Sequence, residues 1–334
     1  GAGVSGSGGG SGGALYLKAE NLVLSANSII DVSGGGNGGG AGRIYLEGTK
    51  SLLNQAQDNL RKNGGSGAAP GTEGTLRFVR PSFLEELDFR TGSIVIDTDV
   101  GTLIHNDGSV AYGLTEDRVY IDGTGAAWPY SVCKFRFTKI HLGGGVVVRV
   151  KGRNALALEA YSGDLILGAN LRADGGNANA GLGGQGFVGG FPGVDGASLY
   201  GSGPGAPKLT SMVGHGAAYG GHGSGNAGVY GDHSLNALLG GSSGGASDIE
   251  GSGAGGGAIL LKASRELRIE PNVLITANGG NGSGNGASGS GGSVRLEATR
   301  VFNHGRIEAK AGNGVQVDGN HQSRGSSGGR IAII

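Results

Sequence analysis

The chain has 334 residues, of which 78 are glycine, about threefold the usual share; only 7 are proline and no Gly-X-Y period runs through it, which excludes collagen. Lys+Arg and Asp+Glu balance at 26 each, with 16% charged and 37% hydrophobic residues, which argues against a solvated disordered chain and leaves no basic face for nucleic acid. The lone cysteine, Cys133, excludes a disulfide framework or a Cys-based metal site, and no apolar run approaches the roughly 20 residues of a membrane helix, so no membrane insertion is expected.

Residues 10–50 read as glycine-rich coils. In Gly12-Gly-Ala-Leu-Tyr-Leu-Lys-Ala19 an apolar residue falls at every second position, the period of a half-buried strand. Asn21-Leu-Val-Leu24 and Ser28-Ile-Ile-Asp-Val-Ser-Gly-Gly35 follow it, and Ala41-Gly-Arg-Ile-Tyr-Leu-Glu-Gly48 opens a second copy. Over 51–64 the spacing predicts one short decorating helix: Ser51 as N-cap, Leu52, Leu53, Ala56 and Leu60 on one face, and Gly64 past its end. Residues 75–174 read as less glycine-rich coils, with strands at Thr75-Leu-Arg-Phe-Val79, Ser93-Ile-Val-Ile-Asp97, Arg118-Val-Tyr-Ile121, Lys134-Phe-Arg-Phe137 and Val146-Val-Val-Arg-Val150. They close on Asn154-Ala-Leu-Ala-Leu-Glu-Ala160, Asp164-Leu-Ile-Leu167 and Asn170-Leu-Arg-Ala-Asp-Gly-Gly176.

Residues 175–257 form a long glycine-rich insertion, unusual for a compact domain unless it is functional or disordered. Its Phe187, Phe191, Leu199, Tyr200, Leu209, Met212, Tyr219, Tyr230, Leu238 and Leu239 are expected to pin it to the side of the strands. Terminal glycine-rich coils fill 258–334, where Gly256-Gly-Ala-Ile-Leu-Leu-Lys-Ala263, Gly291-Gly-Ser-Val-Arg-Leu-Glu-Ala298 and Gly328-Gly-Arg-Ile-Ala-Ile-Ile334 repeat the opening unit. The chain begins inside a glycine tract and ends in mid-pattern, which reads as a processed product or a segment of something longer. Because the same three-strand order recurs, the expected fold is all-β: a single parallel β-helix solenoid over 1–334, three short strands per coil, with long glycine-rich loops.

These five Gly-Gly-x-Ile-x-Leu-type units and their Ile-x-Ala-x-Gly-Gly sequels resemble the glycine-rich parallel β-helix segments of very large bacterial secreted and surface proteins, autotransporter-like and adhesin-like. The resemblance implies a fold and an extracellular or cell-surface setting, and it brings no catalytic residues. A second comparison is weaker. Asp97-Thr-Asp99, Arg149-Val-Lys151 and Gly214-His-Gly216 resemble fragments of the pectin-type glycosidase motifs, but the order differs and the Asp-Asp pair is missing.

The residues otherwise suited to chemistry are few. His215, His222 and His233 sit in a glycine tract without the spacing that rigid metal sites use, so neither a metal nor any other cofactor is expected. Asn281-Gly-Ser283 is a lone glycosylation sequon. Trp128 and Tyr130 suit either stacking on a sugar ring or packing at a corner, and Asp97 and Asp99 either contact a sugar or end a strand. The leading expectation is a non-catalytic structural protein, a rigid subunit or segment of an extracellular fibre, stalk or adhesin that self-associates end to end through its solenoid ends, with glycans or a cell surface as further partners. The alternative is a carbohydrate-binding or carbohydrate-cleaving protein using Asp97, Asp99, Trp128 and Tyr130. A third arrangement, glycine tracts bundled as extended helices as in some antifreeze or tail-fibre proteins, calls for regular glycine spacing, which the sequence lacks.

Overall fold

A computed structural model describes residues 9–25, 27–54, 59–66, 70–79, 84–198, 200–207, 214–224, 228–314 and 325–334. The chain divides into two compact units, residues 1–83 and 84–334. No α-helix occurs among the described residues.

In the first unit, β1 (Ala14–Leu24), β3 (Arg43–Asn54) and β5 (Thr75–Val79) form a parallel sheet, and β2 (Ile30–Asp31) pairs with β4 (Leu60–Arg61). The register sets Leu15 beside Ile44 and Leu17 beside Leu46, so alternate apolar side chains collect in one core with Leu24, Val32 and Leu60. The helix expected over 51–64 is absent from the described part of that stretch. Ser51–Asn54 continue β3 because they pair with Asn21–Leu24, Leu60–Arg61 are β4, and residues 55–58 lie outside the described residues. Pairing with a neighbour outweighs a local helical spacing.

The second unit opens with β6 (Leu84–Asp97), β7 (Thr102–His105), β8 (Val110–Tyr112), β9 (Leu114–Ile121) and the long β10 (Ala127–Lys151). Triplets follow: β11 (Ala155–Ala160), β12 (Leu165–Leu167) and β13 (Leu171–Arg172); β14 (Ala258–Ala263), β15 (Glu266–Ile269) and β16 (Leu274–Thr276); β17 (Ser293–Glu297), β18 (Arg300–Asn303) and β19 (Arg306–Glu308); then β20 (Arg330–Ile333). Twelve of these make one mixed sheet, in which β6–β7, β7–β8 and β9–β10 are antiparallel, while β13, β16 and β19 form a parallel sheet of their own. The mixed sheet overturns the all-parallel β-helix expected from the repeats. The reversals have a local cause: Asp107-Gly108 and Asp122-Gly-Thr-Gly125 are hairpin turns, with Gly108 and Gly125 at φ 92° and 85°.

Within the sheet, β11, β14, β17 and β20 pair in parallel, which aligns Leu156, Ile259, Val294 and Ile331 in one column and Leu158, Leu261, Leu296 and Ile333 in another. The first three rungs of each column are fully buried, whereas Ile331 and Ile333 are 46% and 58% exposed. Outward positions of the same strands alternate in charge, Arg136, Glu159, Lys262 and Glu297 standing side by side in register. Where the triplets meet the glycine tracts, Asp174 and Asn278 each accept the backbone N–H of the residue one rung on, as do Asn177 and Asn281. The sequon asparagine Asn281 is thus a structural rung.

The tracts between triplets are packed backbone. Residues 252–257 make no hydrogen bonds among themselves: their N–H groups turn in rotation to the carbonyls of Val194, Ala287, Gly176, Phe191, Ser290 and Ala173. Each neighbouring tract is therefore met at every third residue, the geometry of a helix with three residues per turn of polyproline II type. Residues 287 and 290 reach 245 and 242 by the same rule, and residues 289 and 292 reach 280 and 277. The bundle of extended helices that irregular glycine spacing argued against is present. Glycine is required where backbones touch, as at Gly255, where a Cβ would overlap the Gly241 carbonyl. Of the side chains expected to pin the insertion, Tyr219, Tyr230, Leu238 and Leu239 are buried, Phe187 packs on the core and Tyr200 is exposed; Leu199, Leu209 and Met212 lie outside the described residues.

Candidate functional site

A cleft of about 630 Å³ opens in the second unit between the start of β10, the turn 152–155 and the tract 185–192. Alternation along β10 puts Trp128 and Tyr130 on one face, and pairing with β9 sets them opposite Tyr120 and Arg118. Trp128 is fixed from behind: its Nε1 donates to Asp122 at 2.8 Å, while the Thr124 hydroxyl and the Thr124 and Ala126 N–H groups donate to the same carboxylate. Those donors, Thr124 first and then Trp128, hold the Asp122 carboxyl well below the ordinary range.

The opposite wall is held by the turn. Val188 and Gly189 donate their N–H groups to the Gly152 and Arg153 carbonyls at 2.8 and 2.7 Å. Val188 does so at φ 51°, strained for a β-branched residue, with its side chain buried in the core. The strain falls between Phe187 and Phe191, both of which line the cleft, and Phe191 stands edge-on to Trp128 with centroids 6.2 Å apart.

The four residues picked out in the sequence part company here. Asp99 and Tyr130 line the cleft, and Trp128 stands behind Phe191. Asp97 is not in the lining; it pairs with Lys151 Nζ at 2.8 Å and accepts the Asp99 and Val100 N–H groups, so it ends β6. Burial alone would raise the Asp97 carboxyl, but Lys151 and the turn outweigh it and hold it below the ordinary value. Asp99 accepts the Arg153 N–H at 2.7 Å and faces its guanidinium at 3.8 Å. Sequence reading missed Arg153, Asn154 and Gln185. A Phe-Pro step inside a glycine tract, Phe191-Pro192, was the available signal for this wall.

A second, smaller cavity of about 100 Å³ opens on the charged face between Arg118, Lys134, Lys262, Arg295, Glu159 and Glu297, whose charges are already paired within and across the strands. The three histidines do not share one setting: His215 is buried, His222 is exposed, and His233 Nδ1 lies 3.3 Å from Arg330. Among the described residues no group of three or more His, Cys, Asp or Glu is placed to hold a metal ion, and no helix is long and apolar enough to cross a membrane. Cys133 is buried, which pushes its thiol up to about 12, far from a reactive thiolate.

No family model, curated protein or solved structure matches this chain.

Proposed function

We propose that the chain is a non-catalytic structural protein, a rigid segment of an extracellular fibre, stalk or adhesin that associates with further copies of itself. The observation that carries this reading is the interlocking of the glycine tracts, backbone to backbone. The glycine tracts support rigidity, because residues 252–257 each spend their N–H on a different neighbouring tract. The cleft lining supports a role without catalysis: among the described residues it carries a single carboxyl group, Asp99, and glycoside hydrolysis uses a pair.

Sedimentation velocity over a micromolar concentration series tests the self-association. Association that grows with concentration is expected; a monomer at every concentration overturns it. Hydrogen exchange tests the rigidity. Peptides covering 252–257 should exchange as slowly as those covering β14, and fast exchange there overturns the rigid reading.

A further inference from the structure

We propose that the cleft between β10 and the 185–192 tract is a binding site for a neutral carbohydrate. The inference rests on the non-catalytic reading above and gives that body a ligand class. Its volume of about 630 Å³ lies within the range of small-molecule sites. The lining has two characters at once. Tyr130, Phe187 and Phe191 supply flat apolar surface, the kind of wall against which the C–H face of a sugar ring packs. Gln185 supplies an exposed amide, one carbonyl acceptor and two N–H donors, which matches the mixed donor and acceptor character of vicinal hydroxyls.

Charge decides between neutral and acidic sugars. The cleft holds one carboxylate, Asp99, and one guanidinium, Arg153, and these face each other at 3.8 Å. An anionic sugar would have to compete with Asp99 for Arg153 and would meet the Asp99 charge; a polyol bonds to either group without displacing the other. The walls are also fixed before any ligand arrives. The Val188 and Gly189 N–H groups bind the 152–153 turn, and Trp128 is anchored to Asp122, so little ordering is left to oppose binding.

The chain contains a single tryptophan, and it stands 6.2 Å from the Phe191 ring. Its fluorescence is therefore the readout for titration of the full chain with neutral gluco-, manno- and galacto-oligosaccharides, with oligogalacturonate as the acidic counterpart. The expected result is a saturable change with at least one neutral series and a weaker one with the acidic series. Gln185→Ala should weaken binding about five- to tenfold, the worth of one net hydrogen bond, with its melting temperature unchanged because Gln185 is exposed. Phe191→Ala should weaken it at least as much. Saturation absent at millimolar concentrations of every neutral series, a preference for oligogalacturonate, or binding indifferent to both substitutions overturns the proposal. Chromatography of the bound oligosaccharide after prolonged incubation separates the two readings: cleaved product with intact binding overturns only the absence of catalysis, and uncleaved sugar with saturable binding upholds both.

Discussion

In the parallel ladder of the second unit the buried material is side chain. Leu156, Ile259 and Val294 stack in register, and the strands around them hydrogen-bond to neighbours on either side within one sheet. In the glycine tracts the buried material is backbone. Residues 251–257 and 286–292 are as buried as the columns, but they interlock through N–H and carbonyl groups that point in three directions. Both regions meet the requirement that buried peptide groups be paired. The ladder meets it in a plane and adds hydrophobic burial on its faces. The bundle meets it in three dimensions and leaves no space for side chains, so serine is the main polar residue admitted: Ser242 and Ser290 are fully buried and bonded to neighbouring tracts. Two kinds of core thus lie side by side, with opposite tolerances.

The sharpest way to break the comparison is a single methyl group. Gly255→Ala places a Cβ onto the Gly241 carbonyl, with rigid backbone on both sides, and should destabilise by about 4 kcal/mol or prevent folding. Gly123→Ala, at a glycine with nothing within 4 Å, should change stability by no more than about 0.5 kcal/mol. Denaturant midpoints of the two variants test this, and equal effects would refute a backbone-built core. The ladder should answer in the reverse sense, to loss of volume. Leu261→Ala removes a fully buried rung and should cost about 3 kcal/mol, whereas Ile333→Ala, in the same column but uncovered, should cost less than about 1 kcal/mol in the monomer.

The two regions were unequally legible in the sequence. Alternation at Ala258–Ala263, Ser293–Glu297 and Arg330–Ile333 marked strands because a period of two needs only four or five residues to show. The sheet they join was not legible, since two Asp-Gly turns between β7 and β10 reverse the chain inside a region read as further coils. The bundle was hidden for a different reason. In a three-residue helix surrounded on all sides, every position faces some backbone, so glycine is needed wherever tracts touch and no period in the sequence survives. The cleft was half visible: Trp128 and Tyr130 share a strand face, but Gln185 joins Tyr130 in the lining only through the packing of a tract whose path no local pattern announced.

A smaller effect separates the charged face of the ladder from the uncharged bundle. Glu159 is mostly buried between Arg136 at 3.3 Å and Lys134 at 3.8 Å, with Lys262 next to it in register. Glu159→Gln removes one member of that row and should cost about 1 kcal/mol at low salt and less at molar salt, read as the salt dependence of the melting temperature. Gly255 and its neighbours carry no charge, so the salt dependence belongs to the ladder.

The smallest effect lies in the antiparallel part, at the hairpin of β7 and β8. The His105 ring is stacked on Phe89 with centroids 3.8 Å apart; its Nε2 faces the Thr91 carbonyl at 3.0 Å and its Nδ1 the Asp107 carboxylate at 2.9 Å. Both neighbours accept, so the doubly protonated ring satisfies both. Burial alone pushes the His105 pKa down, but Asp107 and Thr91 outweigh it and the net shift is upward from 6.5. The Ser109 N–H, followed by His105, holds Asp107 down from 3.8 to about 2. A raised folded pKa gives stability that is complete below the unfolded value and is lost as pH climbs through the folded one. A depressed carboxylate gives stability that is present above 3.8 and is lost as pH falls towards 2. The pair therefore supports the hairpin best between roughly pH 4 and 6.5, with decline on both sides. In His105→Gln the decline above pH 6.5 should vanish while the acid limb, carried by the Ser109 bond to Asp107, persists. Melting temperatures of the two proteins from pH 3 to 9 decide it: parallel curves above pH 6.5 would show that His105 is held neutral, and that the hairpin is fastened by stacking on Phe89 alone.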